Sequence, residues 1–436
     1  MKKYYDIVKE KLNSIIEDMA NDPKDFVQNP DGDFVRKRKL DFQTMVKIIL
    51  SMNGGSIGKE LLSYFKFDTK TATASAFQQQ RFKILPEAFE HLFKTFTKSF
   101  SDCKTFNNYR LLAVDGSRLN IAHNPNDLST YVKLNDGKGC NMLLLNTIFD
   151  LCNKLYVDAI IQPIKNQNEN LALRRMVDRL DVNEKAIIIA DRGYENYNAF
   201  AHIEQKGLKY IIRVRDKESR GIAASLKALP HSDIFDEKIA LKLTRQQTKA
   251  IKLNSDYKFL PSNVIFDYLE AGSTNIYEMN FRVVRFKMSE NTYETIITNL
   301  DEHEFDANMI KELYHMRWGI ETSFRELKYA VGLVNFHAKK VEFIKQEVFA
   351  KLTMHNFCKI ITLNVVVNNN KKKHLYQINF TFAIYVCIHF FRHSLDEYPL
   401  DLETLIQQKI LPVRAGRSDM RKLRAKSFVS FLYRVA

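Results

Sequence analysis

Cysteine and long apolar segments are both scarce in this sequence, and each scarcity argues against a class of protein. The five cysteines are Cys103, Cys140, Cys152, Cys358 and Cys387. No two of them have the spacing of a zinc-binding pair, and their odd number favours reduced thiols over a disulfide framework. The longest apolar stretch, residues 378–391, is shorter than the ~20 residues of a membrane span. Because Asn379 and His389 also interrupt it, this stretch predicts a buried helix.

The N-terminal segment MKKYYDIVKEKLNSII lacks the apolar core of a signal peptide, so we expect a cytoplasmic protein. What the chain has in excess is positive charge, with a net charge of +15. This charge favours an anionic partner, usually nucleic acid, although a basic protein without a nucleic-acid role remains an alternative. The 436 residues are 45% hydrophobic and 27% charged, which predicts a globular chain of two to four domains.

Residues 1–105 have helical patterns and predict a helical N-terminal DNA-binding domain. SIGKELLSYF and TASAFQQQRFKIL lie on either side of a polar turn, as in a helix-turn-helix. Two packed core helices without DNA contact explain the pattern equally well. If the segment does bind DNA, the candidate contacts are Thr71, Thr73, Gln78, Gln79 and Arg81.

From residue 109 short apolar segments predict strands, in the order strand, strand, strand, helix, strand, helix, strand. This is the order of the ribonuclease H fold, a mixed sheet with helices on its faces. We therefore predict an α/β protein whose ribonuclease H-like core occupies residues 106–216 and 293–338. A β-strand insertion would occupy residues 217–292. Residues 339–436 would form a helical C-terminal region, a candidate for dimerisation.

One predicted helix, DANMIKELYHMRWGIETSFRELKYAVGL, carries an unusual set of polar residues. At ~100° per residue, Tyr314, Arg317, Glu321 and Lys328 share an arc of roughly 60°, and Arg325 borders it. The basic groups suit phosphate oxygens, and the carboxylate suits a hard cation. An ordinary salt-bridged surface is the alternative, because Glu321 and Arg325 are four residues apart.

Two aspartates are predicted to lie close to this helix. Asp115 and Asp191 each end a predicted strand, before Gly116 and before Arg192-Gly193 respectively. Either could be an ordinary turn residue. In the ribonuclease H order, however, their strands are neighbours, so both acids lie at the same sheet edge. Carboxylates that converge there repel each other unless cations neutralise them, and Mg²⁺ accepts such ligands.

The helix pattern resembles the signature of the insertion-sequence-four family of DDE transposases: Tyr314, Arg317, Glu321 and Lys328 at the same spacing. VDGS around Asp115 and ADRGY around Asp191 are similar to that family's two aspartate motifs. The resemblance covers about residues 58–340. It also accounts for the strand-rich insertion between the second aspartate and the glutamate.

The resemblance implies that Asp115, Asp191 and Glu321 bind two Mg²⁺ ions, with Mn²⁺ as a substitute. Tyr314, Arg317 and Lys328 would bind phosphates of the transposon end, with Arg325 and Arg192 as further DNA-binding candidates. The family cuts and pastes double-stranded DNA at the end repeats and at the target. The resemblance also implies a homodimer in the synaptic complex and a bacterial, nucleoid-associated protein.

Some family members stack a flipped base on a tryptophan of the insertion. The single tryptophan here, Trp318, lies on the signature helix instead. Tyr268, Tyr277 or Tyr293 could stack a base in its place, because stacking needs only an aromatic face. Whether a hairpin intermediate forms therefore stays open.

Three other interpretations remain. A ribonuclease H-like nuclease would cut strands without joining them, a domesticated DNA-binding protein would do no chemistry, and a basic α/β protein would do neither. The basic tail from Arg414 to Lys426 is equally consistent with a solvated charged surface and with a DNA contact.

Overall fold

The computed structural model describes residues 2–36, 38–100, 104–133, 139–180, 185–367, 375–393 and 400–413. The basic tail from Arg414 and the residue Cys103 lie outside the described residues. Within these ranges the chain is a mixed α/β protein with one large sheet. No helix in the described part is long and apolar enough to cross a membrane.

The N-terminal part is helical. Its helices are α1 (Tyr4–Asn21), α2 (Phe42–Ser51), α3 (Ile57–Tyr64), α4 (Ala74–Phe82) and α5 (Pro86–Lys98). Side-chain caps begin two of them: Asp41 accepts from Thr44 N at α2, and Thr73 accepts from Ala76 N at α4. Such caps satisfy backbone N–H groups that have no partner within the helix. Thr73, a candidate DNA contact, therefore has a structural role as well.

Arg81 corrects one expectation, because it does not face solvent. Its side chain is fully buried, with Nε 2.8 Å from Gln346 Oε1 and Nη1 2.9 Å from Glu347 Oε1. A third bond runs from Nη2 to Phe343 O at 2.6 Å. The pattern TASAFQQQRF does not reveal this partner, which lies more than 260 residues away in sequence. Arg81 thus ties α4 to the C-terminal helix rather than to DNA.

The middle of the chain forms six strands and two helices. They are β1 (Arg110–Ile121), β2 (Tyr131–Val132), β3 (Cys140–Asp150), β4 (Leu155–Pro163), α6 (Glu169–Asp178), β5 (Ala186–Ala190), α7 (Tyr197–Gln205) and β6 (Lys209–Val214). Apart from the short β2, this is the predicted order of elements. Gly207 ends α7 with a φ of +73°, a backbone conformation that favours glycine.

Further strands extend the same sheet. They are β7 (Phe235–Thr244), β8 (Tyr257–Phe259), β9 (Ile276–Ser289) and β10 (Thr292–Thr298), and a short helix α8 (Lys249–Leu253) lies between β7 and β8. In the described ranges ten strands form one sheet in the order β2-β3-β1-β5-β6-β10-β9-β7-β8, and β4 pairs with β3. β1 is antiparallel to β3 and parallel to β5, and β5 is parallel to β6.

The predicted long helix is interrupted twice. α9 (Ala307–Met316) ends at Arg317, where α10 (Trp318–Arg325) begins, and residues Glu326–Ala330 continue as a π-helical turn. A π turn changes the angle between successive residues. The uniform 100° step used for Lys328 is therefore wrong at that residue.

The C-terminal part contains α11 (Val341–Leu363), β11 (Tyr376–Ile378), α12 (Phe380–Arg392), α13 (Leu402–Gln407) and β12 (Ile410–Pro412). Most of α11 is buried, polar residues included, and α11 packs on α1, α2, α5 and α12. Most of the apolar stretch 378–391 is helical, as predicted, but α12 begins at Phe380 and is buried on one side only, with Tyr385 exposed. Two hydrophobic clusters cover the sheet: one includes α10 and α11 on one face, and the other includes α6 and α7 on the opposite face.

Candidate metal and nucleic-acid site

Asp115 and Asp191 occupy equivalent positions on neighbouring strands. Val114 pairs with Ala190 in the parallel ladder of β1 and β5, and each aspartate is the next residue. Asp191 leaves the sheet, as predicted, but Asp115 does not end its strand. β1 continues to Ile121 because β3 supplies an antiparallel partner along its whole length. The DGS segment therefore stays extended, and its turn-like composition was misleading.

Backbone donors orient both aspartates. Asp115 Oδ1 accepts from Gly116 N at 2.8 Å, and Asp191 Oδ1 accepts from Gly193 N at 2.8 Å. The pKa of Asp115 is raised to about 6, chiefly by burial and also by the negative charges of Asp191 and Glu321. The Gly116 N–H and the Arg317 guanidinium act in the opposite direction. Such a shifted carboxyl beside other acids is typical of functional sites.

Arg317 lies between two of the candidate metal ligands. Its Nη2 is 3.1 Å from Glu321 Oε1, and its Nη1 is 3.9 Å from Asp115 Oδ2. The Arg317 side chain is only 6% exposed, whereas those of Asp115 and Glu321 are 24% and 32% exposed. The break between α9 and α10 falls at this residue. The single positive charge of the guanidinium therefore offsets part of the repulsion between two neighbouring carboxylates.

The other predicted DNA-binding residues differ in their exposure. Tyr314 is buried, with the Arg317 guanidinium 5.7 Å from its ring centroid. Lys328 is half-buried, and its Nζ donates to Arg118 O at 3.0 Å. Arg325 and Arg192 are exposed. Of the five predicted DNA-binding residues, these two arginines are therefore the most accessible to solvent and to a large ligand.

Glu169 is an acidic residue at this site that the sequence analysis did not single out. It is the first residue of α6, and Asn168 caps that helix by accepting from Leu171 N. Glu169 Oε1 lies 2.6 Å from the position that a Cβ on Gly116 would occupy. Burial and the charge of Asp191 raise the pKa of Glu169. The signal in the sequence is an acidic residue directly after the capping residue Asn168, and the apolar pattern of the helix does not reveal it.

A basic cavity of about 460 Å³ lies beside Asp191. Four arginines outnumber two acids in its lining, which includes Arg192, Arg213, Arg215, Arg220, Asp216, Glu294 and Tyr293. The Tyr293 ring lies 4.0 Å from the guanidinium of Arg285, and its hydroxyl donates to Asp233. Tyr268 and Tyr277, by contrast, pack against each other and against Phe266. Of the three tyrosines predicted as stacking residues, Tyr293 is therefore the one that lines an open basic cavity.

The donor chemistry fits a hard divalent cation. Carboxylate oxygens from Asp115, Asp191 and Glu321 are the ligands that Mg²⁺ prefers. Buried polar atoms near them lack partners in the described structure, namely Asn146 Oδ1 and the Tyr194 hydroxyl. However, no three acidic, histidine or cysteine side chains in the described ranges lie close enough together to hold one ion. A cation position shared by the three acids stays a prediction, and the acids would have to close around the ion.

Comparison with known proteins identifies related sequences. Residues 107–357, more than half of the chain, match a family model described as "Transposase DDE domain". The putative transposase InsL for insertion sequence element IS186A of Escherichia coli (strain K12) is 37% identical over 57 residues. The transposase for insertion sequence element IS421 of Escherichia coli is also 37% identical over 57 residues. Each match spans 13% of this chain and only 15% of the relative.

A solved structure is similar at low identity. It is described as "Cryo-EM structure of piggyBac transposase synaptic complex with hairpin DNA (SNHP)". The likeness has a TM-score of 0.45 and 12% identity, over 95% of this chain and 87% of that chain. At this score the two folds are not shown to be the same.

Proposed function

Because this chain belongs to the transposase DDE domain family, we propose that it is a DNA transposase that moves an insertion sequence by cutting and joining DNA strands. The observation that carries the proposal is the arrangement around Arg317. Asp115 and Asp191 follow paired residues of adjacent strands, and Arg317 connects Asp115 with Glu321 from the signature helix. Three acids from distant parts of the sequence are thus directed to one sheet edge.

A ribonuclease H-like core is the finer fold assignment that we propose. The order β4-β3-β1-β5-β6, with β3 antiparallel to β1 and β4, supports it. Helices α6 and α7 cover one face and α10 covers the other. The acids then belong to β1, to the end of β5 and to a helix after the last core strand. The spacing of Tyr314, Arg317, Glu321 and Lys328 supports membership of the insertion-sequence-four group.

Two Mg²⁺ ions, for which Mn²⁺ can substitute, are the cofactors that we propose for Asp115, Asp191 and Glu321. When bound, the ions would activate the attacking oxygen and stabilise the leaving oxygen in phosphodiester hydrolysis and strand transfer. The protein's own contribution is to hold the three acids as ligands and to keep Asp115 largely away from water. When no cation is present, the single positive charge of Arg317 offsets part of the repulsion between Asp115 and Glu321.

Double-stranded DNA is the proposed substrate, at the ends of the element and at the target. A net charge of +15 supports attraction to the phosphate backbone. Arg192 and Arg325 are exposed and would contact phosphates directly. Tyr314, Arg317 and Lys328 would also contact phosphates once the acids have bound cations. The cations would then offset the negative charge of Asp115 and Glu321, which Arg317 contacts in their absence. A homodimer that holds both ends is part of the proposal.

The cavity beside Asp191 is a proposed place for an extruded base. Tyr293 offers an aromatic face, and four arginines there would hold the neighbouring phosphates. This arrangement would take the place of the tryptophan that some family members use. It supports a hairpin intermediate without requiring one.

The experiment uses a duplex that contains the DNA flanking the coding sequence, incubated with the full chain and Mg²⁺. We expect Asp115→Ala, Asp191→Ala and Glu321→Ala each to abolish strand cleavage while duplex binding persists. Glu312→Ala is the matched control, because Glu312 is an exposed acid on α9, nine residues before Glu321. Near-normal cleavage by any of the three variants would refute the triad. Cleavage without joined products would point to a nuclease instead.

A further inference from the structure

Acids reach this site from both faces of the sheet. Leu112 and Val114 belong to the hydrophobic cluster that contains α6 and α7, whereas Leu111 and Ala113 belong to the cluster that contains α10. Because side chains alternate along a strand, Asp115 faces α10 and Gly116 faces α6. β1 extends beyond the end of β5, so no strand separates the two faces at this point. A residue at the start of α6 can therefore approach Asp191 around the edge.

Glu169 occupies that position. Its Oε2 lies 3.7 Å from the place of a Cβ on Gly193, and Asp191 Oδ1 lies 3.0 Å from the same place. Its Oε1 lies 2.6 Å from the place of a Cβ on Gly116. Any residue with a Cβ at this position would therefore displace the carboxylate. Gly116 thus leaves room for this carboxylate beside the two aspartates, whereas a Cβ on Gly193 would meet it only at an ordinary van der Waals distance. In the described part of the chain no hydrogen bond to the Glu169 carboxylate is formed, and the positive charge of Arg118 only opposes the rise in its pKa.

An independent observation indicates that a ligand belongs here. Asn146 is fully buried, and its Oδ1 has no hydrogen-bond partner in the described structure. Its Nδ2 donates to Gln162 Oε1 at 3.2 Å, which sets the orientation of the amide. The free oxygen therefore points the other way, 3.3 Å from the place of a Cβ on Gly116. A buried acceptor without a donor is costly unless a water molecule, free or bound to a cation, donates to it.

The start of α6 is held rigidly toward this oxygen. Gln162 Oε1 also accepts from Asn168 N at 3.1 Å, so Asn146, Gln162 and Asn168 form one chain of contacts. Helix capping alone explains an acid in the first turn, because it interacts favourably with the helix dipole. Capping does not explain why Gly116 leaves space for the carboxylate, or why an unpaired amide oxygen lies next to it.

We propose that Glu169 is a fourth carboxylate ligand of the metal centre, binding a divalent cation beside Asp191. The inference rests on the proposed function, since it presumes cations at Asp115, Asp191 and Glu321. Asn146 Oδ1 would accept from water in the coordination sphere of the same cation. With four carboxylates, two divalent cations are neutralised without help from Arg317.

The test is calorimetric titration of the full chain with Mn²⁺, together with thermal melting with and without Mn²⁺. We expect Glu169→Gln to weaken Mn²⁺ binding at least about tenfold, on the scale that ligand-shell changes produce. Without metal this variant should melt at or above the wild-type temperature, because a negative charge beside Asp191 has been removed. A purely capping role predicts the reverse: a slightly lower melting temperature and unchanged Mn²⁺ affinity.

Three further variants make the outcomes distinguishable. Asp178→Asn changes the acid at the other end of α6 and should bind Mn²⁺ like the wild type. Asp115→Asn should lose Mn²⁺ binding. If Glu169→Gln binds Mn²⁺ normally while Asp115→Asn does not, the inference is overturned and the proposed function stands. If Asp115→Asn also binds Mn²⁺ normally, the metal centre itself is refuted. Glu169→Asp keeps the charge but places the carboxylate farther from the site, so it should bind Mn²⁺ weakly. This variant tests the inference if Glu169→Gln does not fold.

Discussion

The buried ion pair between Arg81 and Glu347 decides whether α4 is held by the protein core or is free to read DNA. Glu347 is buried, and its pKa is lowered to about 2 from the usual 4.5: burial opposes the shift, but Arg81 and His337 outweigh it. At 1.36 kcal/mol per pKa unit the interactions of the ionised form are worth roughly 3 kcal/mol. Burial lowers the pKa of Arg81, but a guanidinium starts from a value so high that it stays charged.

We therefore expect Arg81→Ala to lower the free energy of unfolding by about 3–5 kcal/mol, the usual cost of leaving a buried charge unpaired. Urea denaturation followed by circular dichroism measures this. The control is Gln79→Ala on the exposed side of α4, for which a change below about 0.5 kcal/mol is expected. Because the pKa of Glu347 is depressed, its stabilisation is present above pH 4.5 and is lost as the pH falls toward 2. If Arg81→Ala unfolds like the control but binds DNA weakly, the reasoning is refuted and Arg81 contacts DNA.

Other expectations follow from single contacts. Arg325→Ala and Lys328→Ala should each weaken duplex binding and reduce the slope of log K against log salt by about 0.9, measured by fluorescence anisotropy; an unchanged slope would contradict a phosphate contact. Burial raises the pKa of Glu204 to about 7, so the folded protein binds a proton there more tightly than the unfolded chain does. The free energy of unfolding should therefore fall as the pH rises from 5 to 8. Glu204→Gln should flatten that fall in urea titrations at both pH values, and an equally steep fall would be inconsistent. Gly116→Ala should displace Glu169, since the added Cβ would lie 2.6 Å from Oε1, and should weaken Mn²⁺ affinity while duplex binding persists.

Much of the fold was predictable because local patterns carry it. The apolar runs that end at Ala190 and Val214 formed buried strands. The large mixed sheet follows from the same patterns. The extension of that sheet by β7, β8 and β9 could not be predicted from their alternating polar and apolar residues, because such a pattern does not identify the neighbouring strand.

The candidate site was predictable only in part. The adjacent positions of Asp115 and Asp191 follow from strand order, and the contact of Arg317 with Glu321 follows from helical spacing. The burial of Arg317, the break in its helix and the approach of Glu169 all depend on packing between distant segments. Gly116 illustrates the difference. Its sequence context suggests a turn, but in the structure it leaves space for the Glu169 carboxylate on the face of the sheet opposite to Asp115.

The central claim is that Asp115, Asp191 and Glu321 hold a common pair of divalent cations. Anomalous scattering from Mn²⁺ in crystals of the full chain tests it most directly. The account predicts two peaks roughly 3.5–4 Å apart at the edge of β1 and β5, with oxygens of all three acids at ligand distance from them. A Mn²⁺-loaded crystal with no peak between Asp115 and Glu321, and with Arg317 still bridging them, would contradict it.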